Sequence, residues 1–195
     1  GKWKEIYGSF DYVGVDLQGK TIGILGLGRI GSTLAKRAKA FDMKIIYHNR
    51  KHVAKSKEKS LDAKYVSFEK LITESDFLSI HVPHTKETDR LFNMKIFKKM
   101  KKSSFLINTS RGKVVNEKDL AIALKKRIIA GAGLDVFEKE PIKKNHSLVK
   151  LANIVLAPHI GSSTKETRIK MAEITVKNLN LGINEKKPIY SVGYW

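Results

Sequence analysis

Arg111, Asp135, Glu140 and His159 are the residues of this chain whose types could do chemistry together. Arg111 stands in Asn108-Thr109-Ser110-Arg111-Gly112. Asp135 and Glu140 stand in Gly133-Leu134-Asp135-Val136-Phe137-Glu138-Lys139-Glu140-Pro141, and His159 in Ala157-Pro158-His159-Ile160-Gly161-Ser162. A planar guanidinium can bind an anionic group bidentately. An imidazole can move a proton near neutral pH, and a carboxylate can tune it as a base. Taken singly, an Arg or a Glu is more often half of a surface ion pair, and a lone His beside Pro is more often structural or exposed. Their shared setting changes that weighting. All four lie at or just beyond the ends of apolar segments of strand length, and strand C-termini are where doubly wound sheets form their ligand crevice.

A second constellation lies earlier. Gly26-Leu27-Gly28-Arg29-Ile30-Gly31 is G-x-G-x-x-G, a weak pattern alone. Here it directly follows an apolar strand and opens a helix, the context that gives it meaning. Gly26 permits the tight turn, Gly28 lets a pyrophosphate approach the backbone, and Gly31 lets helix and strand pack closely. The helix N-terminus adds free N–H groups and the positive end of a dipole. The whole run, with Leu27, Arg29 and Ile30, is therefore expected to bind a dinucleotide.

The coenzyme is chosen at the end of the second strand, about 20 residues on, where an Asp or Glu would bind ribose hydroxyls and repel a 2′-phosphate. The chain has Tyr47-His48-Asn49-Arg50-Lys51-His52 there and no carboxylate before Glu58. Asn49 can bind a ribose hydroxyl or a phosphate oxygen, and Arg50 and Lys51 can clamp a 2′-phosphate. The bland alternative is a basic loop in a basic protein. The reading favours NADP, with NAD as the alternative.

The elements that must hold these residues alternate. Strands are expected at Thr21–Leu25, Lys44–Tyr47, Asp76–Val82 (stopped by Pro83), Phe105–Asn108, Ile128–Val136 and Asn153–Leu156. Helices are expected at Ile30–Phe41, packing Leu34, Ala35, Ala38 and Phe41, and at Ser67–Thr73, packing Phe68, Leu71 and Ile72. Others are expected at Phe92–Met100, at Glu117–Arg127 (packing Leu120, Ile122, Ala123 and Leu124), and from about Ser163, where Ser-Ser-Thr-Lys-Glu makes a cap. Strands buried on both faces and separated by helices imply βαβ units and a parallel sheet with right-handed crossovers. The fold class is α/β, a doubly wound parallel sheet of the Rossmann NAD(P)-binding type.

Composition narrows the classes. The chain has 195 residues, enough for one full domain, and no cysteine, which excludes a disulfide scaffold, a Cys-based zinc site and a thiol nucleophile. No metal is expected. No apolar run approaches the roughly 18 residues that span a bilayer, and the opening Gly-Lys-Trp-Lys-Glu has no signal-peptide h-region. The expectation is a soluble, cytoplasmic protein without membrane partners, cut from something larger, since it opens on Gly1. Lys and Arg number 38 against 19 Asp and Glu, a net charge of +19. That balance is compatible with nucleic-acid binding. However, most basic clusters, such as Lys125-Lys126-Arg127, fall at expected helix ends, where cations are favoured. No RNA-binding aromatic motif or His/Cys finger accompanies them, so no nucleic-acid partner is expected.

At these residues the sequence resembles the D-isomer-specific 2-hydroxyacid dehydrogenase family. The likeness runs from Trp3 through the G-L-G-R-I-G loop, His81-Val82-Pro83, N-T-S-R-G and D-V-F-E-x-E-P to P-H-I-G-S-S-T. It covers nearly the whole chain with every motif in order; 29 residues separate Arg111 from Glu140 and 19 separate Glu140 from His159. The residues after the second strand look most like those of the NADP-using glyoxylate and hydroxypyruvate reductases of the family.

The resemblance implies an oxidoreductase that acts on a CH-OH group and moves a hydride between NAD(P)H and a small 2-oxoacid or D-2-hydroxyacid. Arg111 would hold the substrate's carboxylate and keto oxygen. His159 would be the acid/base, and Glu140 would hydrogen-bond that imidazole and raise its pKa. Asp135 would bind the nicotinamide carboxamide. His81, Val82 and Pro83 would line the dinucleotide groove, Thr109 and Ser110 would contact the cofactor near Arg111, and Thr88, His159 and Gly161 complete the expected contacts. The chain departs from the family at His84, where an apolar residue is usual. His52 and His146 are expected at the surface.

The family has two domains, and the resemblance implies that the substrate domain is largely missing here. Residues 1–16 would lead from that missing domain, residues 17–182 would form the dinucleotide-binding domain, and residues 183–195 would return towards the missing part. The chain is then either a cofactor-domain fragment or a natural truncation. Alone, it is expected to bind cofactor but to turn over poorly, because cleft closure excludes water and completes substrate contacts. The intact protein is expected to be a homodimer. Two alternative functions are a dinucleotide-regulated interaction module like the C-terminal binding proteins of the same family, and nucleic-acid binding.

Overall fold

The structure, a computed structural model, describes residues 14–190. Most of the expected leading segment 1–16 and the end of the expected tail 183–195 lie outside the described residues. The chain divides into two compact units, residues 1–158 and 159–195.

The first unit is built on a seven-stranded sheet. Its strands are β1 (Thr21–Leu25), β2 (Lys44–His48), β3 (Ala63–Tyr65), β4 (Phe77–Ile80), β5 (Phe105–Asn108), β6 (Gly131–Leu134) and β7 (Ile154–Leu156). Every pairing is parallel, in the order β3-β2-β1-β4-β5-β6-β7. The chain runs outward from β1 to β3 and then restarts at β4 on the other side of β1. That reversal between β1 and β4 is the switch point beyond whose C-terminal ends doubly wound sheets bind ligands.

The helices of this unit are α1 (Arg29–Lys39), α2 (Lys55–Leu61), α3 (Phe68–Glu74), α4 (Met94–Phe97) and α5 (Glu117–Lys125). Alternation along β1 divides the core between the two faces of the sheet. Ile22 and Ile24 pack with Ala35, Ala38, Ile45, Tyr47 and Leu61 on the α1–α2 side. Leu25 and Ile46 join Leu71, Leu78, Ile80, Phe92, Leu106 and Leu120 on the other side. Covering a sheet on both faces is what makes TIGIL a continuous apolar run.

Several expectations need correction. α2 and β3 are additions to the expected elements: KSKEKSL buries only Leu61, and AKY is three residues long, so neither carries a readable period. The helix expected over Phe92–Met100 is confined to Met94–Phe97, because Phe92 is taken into a bridge with Val115. Phe41 lies beyond the end of α1 and is 57% exposed, and Ile122 faces solvent on α5. The strands around residues 77 and 131 are shorter at both ends than expected.

The second unit contains α6 (Lys165–Ile183), capped by Thr164, whose hydroxyl accepts the Thr167 N–H at 3.2 Å. The tail folds back on this helix, with the Ile189 N–H donated to Asn178 Oδ1 at 3.0 Å. Among the described residues no helix is long and apolar enough to cross a membrane.

Candidate functional site: a dinucleotide cradle and an Arg/Glu edge

β1 ends directly in the glycine turn. Gly26 has φ +99°, and a Cβ there would lie 2.8 Å from the His81 carbonyl oxygen, so this turn requires glycine. Backbone bonds from Gly26 N–H to His48 O and from His81 N–H to Leu25 O tie the turn to the ends of both flanking strands. Gly28 caps α1 with no side-chain hydrogen bond, and the first turn holds no acidic residue. A Cβ on Gly28 would meet nothing within 4 Å, so no protein atom crowds the backbone at this helix N-terminus. That cradle fits the pyrophosphate of a dinucleotide, which would approach the Gly28 backbone and the free N–H groups of α1.

The residues after β2 divide their tasks. Asn49 is half-buried, and its Oδ1 accepts the Leu27 N–H at 2.7 Å, so its side chain shapes the glycine loop. Arg50 and Lys51 are exposed beyond it. The loop is anchored from below: Tyr47 donates its hydroxyl to Glu58 Oε1 at 2.7 Å and accepts the Val53 N–H at 3.2 Å. His52, though mostly exposed, stacks on Tyr65 with ring centroids 3.6 Å apart. The Lys55 and Tyr47 hydrogen bonds hold the Glu58 carboxyl below its usual range, while burial and then the bond to Glu58 push Tyr47 up to about 12. Lys57, not singled out from sequence, brings its Nζ to 3.5 Å from the Leu27 carbonyl oxygen.

Across the turn, β4 delivers His81, Val82 and Pro83. His81 Nε2 lies 2.9 Å from Ser79 Oγ, and burial pushes its imidazole pKa down. Thr88 uses its hydroxyl internally, donating to the Pro83 carbonyl and accepting the Thr85 N–H, each at 2.7 Å. His84 pairs with Asp89 at 2.7 Å.

β5 and β6 lead into the segments that carry Arg111, Asp135 and Glu140. Asn108, the buried last residue of β5, accepts from both the Ser110 N–H and the Ser110 hydroxyl and donates to the Arg111 carbonyl at 3.0 Å. This folds Thr109, Ser110 and Arg111 into a turn that leaves the Arg111 side chain exposed, its Nη1 on the Ser110 carbonyl at 2.7 Å. Asp135 is buried just past β6, its N–H bonded to the Asn108 carbonyl at 3.0 Å. Glu140 Oε1 accepts the Phe137 N–H at 3.0 Å.

The two turns meet through Gly112, where a Cβ would lie 1.9 Å from the Phe137 carbonyl carbon. The structure therefore brings the segments carrying Arg111, Asp135 and Glu140 together beyond the C-terminal ends of β5 and β6. His159 and Gly161 open the second unit, where His159 has φ +55°. His146 is half-buried rather than at the surface, 3.3 Å from Glu117. Sequence reasoning misses Asn108 and Glu117, since an Asn at the end of a strand and a Glu in a first helical turn are ordinary. Among the described residues no group of three or more His, Asp or Glu side chains could hold a metal ion.

Residues 1–161 match the family described as D-isomer specific 2-hydroxyacid dehydrogenase, NAD binding domain. A glyoxylate reductase of Thermococcus litoralis is 54% identical over 182 residues, covering 92% of this chain and 54% of the relative. One from Korarchaeum cryptofilum is 50% identical over 179 residues, with the same coverage. The TT0316 protein of Thermus thermophilus superposes with a TM-score of 0.91 at 40% identity, over 97% of this chain and 59% of that one. A glyoxylate reductase from Paecilomyes thermophila superposes with a TM-score of 0.86 at 39% identity, over 92% and 54%. The chain spans about half the length of the curated relatives it matches.

Proposed function

The chain belongs to the D-isomer-specific 2-hydroxyacid dehydrogenase family through its NAD-binding domain, and from that premise we propose that it is the cofactor-holding half of a reductase of small 2-oxoacids, of the glyoxylate or hydroxypyruvate type. The observation that carries this reading is the junction beyond the C-terminal ends of β5 and β6, where the Arg111 turn and the Glu140 turn lie against each other through Gly112, on the same sheet whose β1 ends in the glycine turn. The curated relatives named glyoxylate reductase support the substrate class. They do not favour an interaction module or a nucleic-acid binder.

When bound, the nicotinamide dinucleotide supplies the hydride. The chain's own residues do the rest. Gly26 to Gly31 would receive the pyrophosphate, His81, Val82, Pro83 and Thr88 would line the groove, Thr109 and Ser110 would contact the cofactor near Arg111, and Asp135 would bind the nicotinamide carboxamide; Gly161 is a further proposed cofactor contact. Arg111 would hold the substrate's carboxylate and keto oxygen, His159 is assigned the acid/base role towards the carbonyl oxygen, and Glu140 the role of supporting that imidazole.

NADP is the proposed coenzyme. No carboxylate follows β2 until Glu58, which is already held by Tyr47 and Lys55, and the exposed Arg50 and Lys51 are suited to clamp a 2′-phosphate. Titration of the chain with NADPH and NADH at two salt concentrations tests this. NADPH is expected to bind more tightly, to weaken with salt and to lose its advantage in Arg50→Asp. Preference for NADH would overturn the coenzyme assignment, and binding of neither would overturn the cofactor-domain reading. The intact enzyme is proposed to be a homodimer.

A further inference from the structure

Glu117 and Glu138 have no role in the scheme above, yet they face each other in a reciprocal clasp. The Glu117 N–H donates to Glu138 Oε1 at 3.0 Å, and the Glu138 N–H donates to Glu117 Oε1 at 2.6 Å. Each carboxylate has a cation or potential cation on its other oxygen: Arg90 Nη2 lies 3.2 Å from Glu138 Oε2, and His146 Nε2 lies 3.3 Å from Glu117 Oε2.

Helix capping does not require this arrangement. α5 already has a cap, because Asn116 Oδ1 accepts the Asp119 N–H at 3.2 Å. Glu117 is only 7% exposed, and burial pushes its carboxyl pKa up, with the like charges of Glu138 and Glu140 acting in the same direction. A buried carboxylate is costly unless it is fully partnered. Its partners are the Glu138 N–H on one oxygen and the His146 ring on the other, both outside its own helix.

What the Glu138 loop carries supplies the reason. Glu138 is two residues from Glu140 and adjacent to Phe137, whose N–H is the hydrogen-bond donor to the Glu140 carboxylate. On the opposite side, the Phe137–Glu138 peptide lies directly against Gly112, the residue after Arg111. The clasp therefore sits at the junction between the Arg111 turn and the Glu140 turn.

We propose that Glu117 and Glu138 are positioning residues for the reaction, their clasp fixing the Glu140 turn against the Arg111 turn. This rests on the roles given above to Arg111 and Glu140. The test compares E117A, E138A, E117Q and D119A. Asp119 also bridges α5 to a neighbouring element, accepting the Met94 N–H at 2.9 Å, but touches neither turn.

In the 195-residue chain, amide exchange at Phe137 and Glu138 is expected to speed up at least tenfold in E117A and E138A. Exchange at Ile24 in β1 should hold, and D119A should leave the Phe137 and Glu138 amides unchanged. E138A alters a half-buried loop residue and serves if E117A fails to fold. In the enzyme that joins this chain to its substrate-binding half, kcat for 2-oxoacid reduction is expected to fall at least tenfold in E117A and E138A. The KM for the dinucleotide should stay within twofold, and E117Q, which keeps an acceptor oxygen, should recover most of the loss. Unchanged exchange, or unchanged kcat in an active enzyme, would overturn the proposal. A wild-type enzyme that reduces no 2-oxoacid would instead overturn the functional reading, and the positioning role with it.

Discussion

Asn49 accepts the Leu27 N–H at 2.7 Å, so the residue that follows β2 holds the loop that follows β1. The position that reads from sequence as a coenzyme selector is thus also part of the cradle. Two substitutions separate those tasks. Asn49→Ala leaves the Leu27 N–H without its partner, at a cost of about 1 kcal/mol. It should weaken NADPH and NADH by a similar factor, about tenfold. Asn49→Asp keeps an acceptor oxygen and adds a negative charge beside Arg50, so NADPH should weaken while NADH holds. Fluorescence titration of both variants checks this; equal losses in Asn49→Asp would show that charge at this position does not discriminate.

Two glycines of the same turn should respond in opposite ways to a methyl group. Gly26→Ala forces a side chain into a left-handed conformation and against the His81 carbonyl, and should cost about 1–3 kcal/mol. Gly28 has φ −78° and open space before it, so Gly28→Ala should leave stability within about 0.5 kcal/mol. The added methyl group would nevertheless stand where the pyrophosphate must approach, and dinucleotide affinity should fall at least tenfold. Urea unfolding beside ligand titration reads both quantities; a Gly28→Ala chain that binds normally would place the ligand elsewhere.

His81 should make stability depend on pH. Burial lowers its pKa in the folded protein below the ordinary 6.5, so the folded state binds a proton less readily than the unfolded chain does. Its contribution is complete above the unfolded value and is lost as pH falls through that value towards the folded one. Urea unfolding at pH 7.5 and 5.5 should therefore show a larger loss in the wild type than in His81→Gln. Parallel losses would show that His81 is not the source.

What could be read from sequence depended on how much each residue's surroundings constrain its type. The TIGIL run shows its burial because both faces of β1 are covered, and the glycine turn is legible because a side chain at Gly26 would strike His81. α2 hides because it buries a single leucine and holds the loop after β2 through Glu58, a residue type that any exposed helix carries. Asn108 hides for a related reason: its three hydrogen bonds shape the Arg111 turn, but a polar residue at the end of a strand is commonplace. Glu117 at the start of α5 reads as a favourable dipole partner, and only the fold brings the Glu138 N–H within 2.6 Å of it.

The sheet ends at both sides on its shortest strands, β3 and β7, each three residues long. An edge strand is a template on which another chain can add, and its danger grows with the number of unpaired backbone groups it displays. Here each margin offers few, and β3 carries an exposed lysine at its centre, Lys64. The margins of this wide sheet thus limit how many backbone groups another strand could pair with, and on the β3 side such a strand would also meet the Lys64 charge.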